Sequence, residues 1–474
     1  MIAGLKPYAE YNDSGLPWLG EVPSHWEVRR VKTVLREVDR RSAAGREPLL
    51  SLRMQAGLVD HHASGGRPIP PSALVGYKRV LPGEIVMNRM RASSGLFAAA
   101  TTDGLVSPDY AIFRSIGQIN VAYVVELFRT PAMKAVFRLE STGLGTGESG
   151  FLRLYSDQFG RLAIPTPPAA EQAAIVRFLD WANGRLERAI RAKRKVIALL
   201  MEQKQVIIHT AITRGLDRDG PTKQSGVSWL GEIPDHWEVT AVGAATTLIQ
   251  TGPFGSQLHS HEYVHNGTPV INPSHMLAGR LNPSADIAIG PEKAKELVRH
   301  QLRESDIVIA RRGELGRCAL VFAREEGWIC GTGSLLLRCN VTVLMPQFFQ
   351  LVFSSSGIAN MLSAASVGAT MANLNAGMVA RQRLPVPPLD EQAEVVRYVA
   401  SETQRIELAA SHLRREIELL REYRTRLVAE VVTGKLDVRE AAATLPEDAT
   451  AGIEAEPADE TDDPELIDEE ATEA

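Results

Sequence analysis

The chain repeats its own sequence, and this repeat limits the possible folds more than any other feature. The segment SGLPWLGEVPSHWEV at Ser14–Val28 recurs as SGVSWLGEIPDHWEV at Ser225–Val239, with eleven of fifteen positions identical. A second pair, PTPPAAEQA at Pro165–Ala173 and PVPPLDEQA at Pro385–Ala393, closes each half. Each half therefore has a fixed opening, a divergent centre and a fixed closing segment, which predicts two related modules.

The closing segments predict two long helices of matched length. Neither Pro nor Gly interrupts residues 185–213 or 391–433. Apolar residues at three- and four-residue spacing predict a coiled-coil seam between the helices, formed by Leu186, Ile190, Ile197, Leu200, Ile207 and Ala211 and by Ile406, Ala410, Ile417, Leu420, Leu427 and Val431. Three charged residues, Lys193, Lys204 and Arg424, interrupt this seam. The alternative is two amphipathic helices that each lie on their own domain.

The divergent centres predict a mixed α/β fold. Short strands preceded by turn residues are expected at 82–87 and 304–310. Residues 121–139 and 346–365 have helical spacing. The fold class is therefore α/β in the mixed α+β sense, with a pseudo-two-fold internal repeat.

Charge is distributed unevenly along the chain. The net charge is −5, but the segment after Val438 has fourteen acidic residues and one basic residue, so the preceding body is at +8. Such an acidic segment is expected to be disordered, and a basic body is expected of a DNA-binding protein. Three scattered cysteines and the lack of an apolar run of membrane-spanning length favour a cytoplasmic protein that does not contact a membrane.

These features together resemble the specificity subunits of Type I restriction-modification systems. The motifs are WLGExPxHWEV at the start of each half, PxPPxxEQ before each long helix, and EIVMNR with VSPDYAIFR and DIVIAR in the centres. The resemblance covers about residues 8–437 and leaves out the acidic tail. It implies two target recognition domains, at 1–160 and 218–380, separated by two long antiparallel spacer helices, at 161–217 and 381–437, and followed by a tail at 438–474.

The resemblance also implies the partners. Each recognition domain would read one half of a split, asymmetric site on double-stranded DNA. The repeated segments would dock two adenine-N6 methyltransferase subunits, and restriction/translocase subunits would join that core. S-adenosylmethionine, ATP and magnesium would belong to these partners, with no cofactor or metal in this chain and no catalytic residue.

Arginines after the predicted central strands are the best candidates for reading bases, because a guanidinium meets guanine O6 and N7 together. Solvated surface charge is the alternative for each of them. In the first centre the candidate DNA-binding residues are Lys78, Arg79, Asn88, Arg89 and Arg91. In the second they are Ser256, Gln257, Arg311, Arg312 and Arg317.

The repeated ends supply the candidate partner-docking residues, because two equivalent surfaces suit two equivalent partners. They are Trp18, Trp26, Glu171 and Gln172 in the first half and Trp229, Trp237, Glu391 and Gln392 in the second. A packing role is the alternative for the four tryptophans. Two other patterns are weaker. The GxGxxG at 145–150 lacks a preceding buried strand and predicts a loop beside DNA. His259, His261 and His265 have no cysteine or acidic pattern typical of zinc.

Two rival functions remain open from the sequence. One is a stand-alone sequence-specific DNA-binding protein. The other is an enzyme, a methyltransferase or nuclease fused into one chain, although no cofactor glycine loop after a strand, Walker lysine or acidic metal cluster supports it. The sequence gives neither the recognised bases nor whether the complex cleaves DNA.

Overall fold

The computed structural model describes residues 5–54, 56–144, 151–217, 219–254, 257–313, 315–365 and 374–446. Contacts divide the chain into two units, Met1–Lys193 with Arg415–Ala474, and Arg194–Arg414. Because the boundaries fall inside the long helices, each long helix contributes residues to both units. The domain limits expected from the sequence remain a prediction.

The first half of the chain alternates short strands and helices before its long helix. Its strands are β1 (Tyr11–Asp13), β2 (Glu21–Pro23), β3 (Glu27–Arg30), β4 (Leu35–Val38), β5 (Leu50–Arg53), β6 (Gly57–Asp60), β7 (Lys78–Val80), β8 (Ile85–Met87), β9 (Phe97–Ala99), β10 (Gly104–Val106), β11 (Ala111–Ser115), β12 (Thr142–Leu144), β13 (Phe151–Arg153) and β14 (Ala163–Thr166). Its helices are α1 (Val31–Val34), α2 (Val121–Phe128), α3 (Pro131–Glu140), α4 (Ser156–Arg161) and α5 (Ala169–Arg214).

The second half follows the same plan with additional short strands. Its strands are β15 (Thr222–Gln224), β16 (Glu232–Pro234), β17 (Glu238–Ala241), β18 (Thr246–Thr251), β19 (Tyr263–Val264), β20 (Thr268–Ile271), β21 (Met276–Leu277), β22 (Arg280–Leu281), β23 (Ala288–Ile289), β24 (Ile307–Ala310), β25 (Cys318–Leu320), β26 (Ile329–Cys330), β27 (Ser334–Cys339) and β28 (Arg383–Val386). Its helices are α6 (Pro291–Glu296), α7 (Pro346–Phe353), α8 (Ser356–Ala365), α9 (Ala376–Ala380), α10 (Leu389–Val432) and α11 (Arg439–Ala443).

Both units contain the same four-stranded antiparallel sheet. Its strand order is β4-β11-β8-β9 in the first unit and β18-β27-β24-β25 in the second. The strands β8 and β24 are buried at every residue, which explains their uninterrupted apolar sequences. The repeat therefore extends from the similar ends into the fold of the divergent centres, and the mixed α/β class is confirmed.

The repeated opening and closing segments pair with each other inside each unit. Strand β3 pairs with β14, which places Val28 opposite Pro165. Strand β17 pairs with β28, which places Val239 opposite Pro385. The two motifs of each half therefore form a strand pair next to the start of the long helix, although nine more residues separate them in the second half.

The two segments with helical spacing in the centres each form two helices instead of one. Thr130 is the N-cap residue of α3, and its side-chain oxygen accepts a hydrogen bond from Met133 N at 3.3 Å. Pro131 then occupies the first helical position, where its missing N–H costs nothing. The corresponding break in the second unit separates α7 from α8.

The long helices contain 46 and 44 residues, about 69 and 66 Å at ~1.5 Å per residue. In the first unit, Lys193 Nζ lies 2.5 Å from Glu416 Oε2 and Arg424 Nη1 lies 3.4 Å from Glu187 Oε2. As the number rises along α5 it falls along α10, so the helices are antiparallel in this unit. The coiled-coil expectation is confirmed.

The charged residues that interrupt the seam have a structural explanation. Lys193 and Arg424 each pair with a glutamate of the facing helix in the first unit, and Lys204 Nζ lies 2.5 Å from Glu407 Oε1 in the second. Eight of the predicted seam residues are buried: Leu186, Ile190, Ala211, Ile406, Ala410, Ile417, Leu427 and Val431. The other four are half-buried: Ile197, Leu200, Ile207 and Leu420.

The segment after the second long helix is ordered further than the sequence predicts. Asp437 N donates to Lys6 O at 2.8 Å, so the start and end of the ordered chain meet in the first unit. Val438 and Ala442 are buried in the first unit's core, and Arg177 Nη2 donates to Leu445 O at 2.7 Å. The expectation of disorder from residue 438 onward is therefore wrong for residues 438–446, and its remainder, 447–474, lies outside the described residues.

Candidate nucleic-acid interface

The structure places Arg89 and Arg311 at equivalent points of the two units. Each follows the buried strand at the middle of its sheet, β8 or β24. The same backbone bond fixes both: Leu154 N donates to Arg89 O at 3.0 Å, and Leu374 N donates to Arg311 O at 2.9 Å. The sequence analysis selected both residues from the strand pattern alone, and the fold presents them at matching positions.

Arg89 lies among acidic and polar groups. Its Nη2 is 2.8 Å from Glu37 Oε1 and 3.3 Å from Ser156 Oγ, and its side chain is only 21% exposed. Its Nε is buried without a hydrogen-bond partner among the described residues. Arg153 is drawn to the same place, with Nη2 3.0 Å from Asp109 Oδ1. This first site is a network of paired charges that retains one unused N–H donor.

Asn88 and Arg91 complete the turn after β8. The side-chain oxygen of Asn88 accepts hydrogen bonds from Met90 N at 3.0 Å and Arg91 N at 3.2 Å. Because Asn88 is also buried, its side-chain oxygen shapes the turn, and direct DNA contact through this side chain stays an untested prediction. Arg91 is half-buried and has no side-chain hydrogen bond or ion pair in the described part of the chain, so it remains a candidate.

Lys78 and Arg79 differ from expectation in different ways. Lys78 is 3% exposed and its Nζ donates to Tyr110 O at 2.7 Å. Burial, and secondarily Arg89, lowers the pKa of Lys78. The burial of this ammonium group argues against a phosphate contact at Lys78. Arg79 is half-exposed, but both ends of its guanidinium bind the Asp103 carboxylate, and a phosphate would compete with that pair.

The second unit carries an open cleft beside Arg311. Its volume is about 480 Å³. Arg311 Nε donates to Leu374 O at 2.9 Å and Nη1 to Thr332 O at 3.3 Å, which fixes the guanidinium in the cleft wall. Burial, and then Arg312, lowers the pKa of Arg311. The lining residues are Phe254, Asn272, Pro273, Arg311, Arg312, Thr332 and Gly333.

The other groups of the cleft suit a nucleotide. Phe254 is 58% exposed, an unusual exposure for a phenyl ring. Arg312 is exposed and has no partner within the described ranges. An aromatic face stacks on a base of any identity, a fixed guanidinium reads guanine, and a free one binds phosphate. The cleft therefore combines the three kinds of contact that nucleic acid offers.

The remaining predicted residues of the second centre surround this cleft. Arg317 is half-buried and donates through Nη1 to Pro273 O at 3.3 Å, which supports the cleft wall. Gln257 is exposed, and its Oε1 accepts from Phe254 N at 3.4 Å. Ser256 lies outside the described residues, as does the GxGxxG segment at 145–150. Phe254 itself was not singled out from the sequence, because its exposure cannot be read from a loop motif.

Gly252 explains why the loop before Phe254 is rich in small residues. A Cβ at this position would lie 1.8 Å from Gly331 O. The loop backbone therefore presses directly against the turn before β27, and only glycine permits this approach. The close contact holds the loop that carries Phe254 at the edge of the cleft.

The Trp, Glu and Gln residues expected to dock partners bind each other instead. Trp26 Nε1 donates to Glu171 Oε1 at 2.9 Å, and His25 Nε2 lies 2.8 Å from Glu171 Oε2. Tyr8 OH donates to the same carboxylate, and burial together with this bond raises the pKa of Tyr8. Glu171 is 5% exposed, so its carboxylate joins the opening segment to the first turn of α5.

The second unit repeats this arrangement around Glu391. Trp237 Nε1 donates to Glu391 Oε1 at 3.0 Å, and His236 Nε2 lies 2.8 Å from Glu391 Oε2. Gln392 is fully buried and accepts from Met345 N at 2.8 Å. Its counterpart Gln172 is also buried and accepts from Asn120 N at 2.7 Å.

Burial decides which of these residues remain docking candidates. Burial or internal hydrogen bonds argue against direct partner contact at five of the predicted positions: Trp26, Trp237, Glu171, Gln172 and Gln392. Trp18, Trp229 and Glu391 are partly exposed and stay predictions. The sequence repeat at these positions reflects the same internal hydrogen bonds in both units.

No group of three or more metal-binding side chains occurs among the residues described. The rings of His259 and His261 stack at 5.5 Å, and His265 Nδ1 lies 2.8 Å from Asp286 Oδ1. Likewise, none of the described helices is both long and apolar enough to cross a membrane.

The sequence is similar to those of specificity subunits of type I restriction enzymes. Residues 250–419 match the family model of the type I restriction modification DNA specificity domain. The chain is 22% identical over 461 residues to a protein described as the type I restriction enzyme MjaX specificity subunit of Methanocaldococcus jannaschii, covering 93% of this chain and 100% of the relative. It is 23% identical over 246 residues to the EcoKI specificity subunit of Escherichia coli K12, about half of each chain.

A solved structure shares the fold. It comes from work on complex assembly and conformational transition of the type I R-M system. The TM-score is 0.59 at 16% identity, and the match covers 88% of this chain and 99% of the other.

Proposed function

We propose a function on the premise that this chain belongs to the family of type I restriction-modification specificity subunits. It is the DNA sequence-specificity subunit of such a complex, a recognition and scaffolding protein and not a catalyst. Its two units read the two halves of a bipartite, asymmetric site on double-stranded DNA. The rival functions, a stand-alone DNA-binding protein and a fused enzyme, are not favoured by the comparisons.

One observation carries the proposal for two reading modules: the same sheet, with the same strand order, places an arginine after its buried central strand in both units. Two such modules on one chain suit two half-sites. The surroundings differ, since Arg89 lies among paired charges and Arg311 lines a cleft with an exposed ring. Different surroundings support different half-sites, and hence an asymmetric target.

The partners follow from family membership at a coarse level, as DNA and the other subunits of the complex. We propose that two methyltransferase subunits bind this chain and that restriction/translocase subunits join them. Large apolar side chains on the long helices support such docking, because they are exposed in the free chain: Val196, Leu199, Val206 and Leu408. S-adenosylmethionine, ATP and magnesium would be bound by these partners, and the complex would act in the cytoplasm.

A module exchange tests the proposed function. Residues 30–160 are replaced by the corresponding centre of another specificity subunit, and the hybrid is expressed with its methyltransferase partner. Methylome sequencing should show one half of the methylated motif changed and the other half retained, because each unit carries its own reading surface. A change in both halves, or methyl transfer from labelled S-adenosylmethionine by the purified chain alone, would contradict the proposal.

A further inference from the structure

An apolar groove of about 850 Å³ opens between the two long helices of the first unit. Its floor consists of Trp181, Leu186, Leu419, Leu420 and Tyr423. Leu419 is 47% exposed, so the groove is open to solvent along one side. An open groove with this apolar lining suits a ligand that buries apolar side chains.

The rim of the groove is basic. The guanidinium of Arg185 stacks over the Trp181 ring at 5.1 Å from its centroid. Lys193 closes the other end, where it pairs with Glu416. Residues 177–193 of α5 include five basic and two acidic side chains, and residues 415–424 of α10 include three of each, so the two sides together carry a net charge of +3. A ligand for this groove should therefore carry apolar side chains flanked by negative charge.

The chain's own C-terminal segment has this composition and starts beside the groove. Arg177, one helical turn before Trp181, donates through Nη2 to Leu445 O at 2.7 Å and to Pro446 O at 3.2 Å. The 28 residues that follow, 447–474, include thirteen acidic side chains and no basic one. The large apolar residues among them are Ile453, Leu466 and Ile467, and acidic residues flank the last two.

We propose that residues 447–474 of this chain occupy the groove, with Leu466 and Ile467 against its apolar floor and the neighbouring carboxylates at its basic rim. The length suffices. Twenty residues separate Pro446 from Leu466 and span up to ~66 Å when extended, whereas the groove ends ~24 Å along α5 from Arg177. Because the segment is tethered beside its site, its effective concentration there is high.

Occupancy by the chain's own tail would restrict the use of this face by any other molecule. A second copy of the chain or another subunit would have to displace the segment to reach Leu419 and Trp181. The proposal rests on the groove, its rim and the adjacent chain exit, and it does not depend on the function proposed for the two reading units.

Fluorescence of the full-length chain tests the contact. Ala471→Cys introduces a thiol four residues after Ile467, and it can be labelled selectively with bimane, a small fluorophore that tryptophan quenches on contact. The native cysteines are buried, and burial raises the pKa of Cys318 and of Cys339 to about 12 and raises that of Cys330 as well. They are therefore poor nucleophiles at neutral pH.

The labelled chain should be quenched, independently of protein concentration. Trp181→Phe, which keeps the groove apolar, should abolish the quenching. Leu419→Glu should also abolish it by placing a carboxylate in the groove, and the matched control Leu408→Glu, equally exposed on the same helix, should not. Circular dichroism checks the fold of each variant.

Three results would overturn the proposal. If quenching is absent, or survives both groove variants, the segment does not occupy this groove. If quenching rises with protein concentration, the groove takes the tail of a second copy. If Phe254→Ala or Arg312→Ala relieves quenching while Trp181→Phe does not, the acidic segment lies instead in the cleft of the second unit.

Discussion

Trp237 donates its indole N–H to Glu391 at 3.0 Å across 154 residues of sequence, and Trp26 makes the same bond to Glu171 at 2.9 Å across 145. In both units the carboxylate in the first turn of a long helix holds the opening segment of that half. The repeated HWEV and EQ motifs are therefore joined by the same hydrogen bond in both units.

Loss of the hydrogen bonds to this carboxylate should destabilise the two units unequally. Glu171 is 5% exposed and Glu391 is 23% exposed. Glu171→Ala leaves Trp26, His25 and Tyr8 without their acceptor and should lower the free energy of unfolding by about 2–4 kcal/mol, since bonds to charged groups contribute most. Glu391→Ala should cost about half as much, because water replaces part of its acceptor role. Denaturant unfolding measures both. Equal losses would contradict the link to burial.

The cleft of the second unit should set one half-site only. Phe254→Ala should weaken DNA binding by the assembled complex by ~1–3 kcal/mol if the ring stacks on a base. Arg311→Ala should relax the sequence preference at one position of that half, at a cost of ~1–3 kcal/mol in discrimination. Methylome sequencing separates the two effects. Altered preference in the half read by the first unit would place Arg311 outside the reading surface.

Arg312 is exposed and Lys78 is buried, so variants of these two residues provide a test and a control for phosphate contact. Log affinity of the complex for DNA should fall linearly with log salt concentration. Arg312→Ala should reduce this slope by about 0.9, the amount expected for one phosphate. Lys78→Met should leave the slope unchanged, because its ammonium group is buried against Tyr110 O. Titrations at several salt concentrations decide both, and a slope that falls with Lys78→Met would reinstate that lysine as a contact.

Residues 439–446 should stabilise the first unit. A chain that ends at Pro446 keeps every residue of this segment and serves as the reference. A chain that ends at Val438 lacks buried Ala442 and the acceptor of Arg177, and it should melt several degrees below the reference. Differential scanning calorimetry makes the comparison, and equal melting temperatures would show that residues 439–446 contribute nothing.

The long helices should set the spacing between the half-sites. Four residues inserted after Gln203, an exposed position of α5, add ~6 Å and rotate the seam by only ~40°. At ~3.4 Å per base pair, the unread spacer should lengthen by one or two pairs while the recognised bases stay the same. Methylome sequencing reads the spacing directly. Full activity at the original spacing would mean that the helices do not determine it.

The sequence predicted the features that depend on chain pattern. Two copies of one module, the long helices and the placement of Arg89 and Arg311 after buried strands all follow from repeats and periodicity. It failed where tertiary burial decides the role. Lys78 and Arg79 are adjacent basic residues of one short strand, and nothing local shows that the ammonium group of Lys78 turns inward to Tyr110 O. Glu171 resembles a surface residue of a first helical turn until Trp26, 145 positions earlier, folds over it.

Residues from the beginning and from the end of the described chain form one core in the first unit, and this has a consequence for synthesis on the ribosome. The first unit's core includes Leu427, Val431 and Val438, which are translated after the whole of the second unit, 194–414. At ~5–20 residues per second, those 221 residues take about 10–40 s to emerge. The nascent N-terminal half therefore exposes apolar surface that lacks its packing partners for that interval. The second unit, although it is encoded later, is the first to have all its residues available for folding.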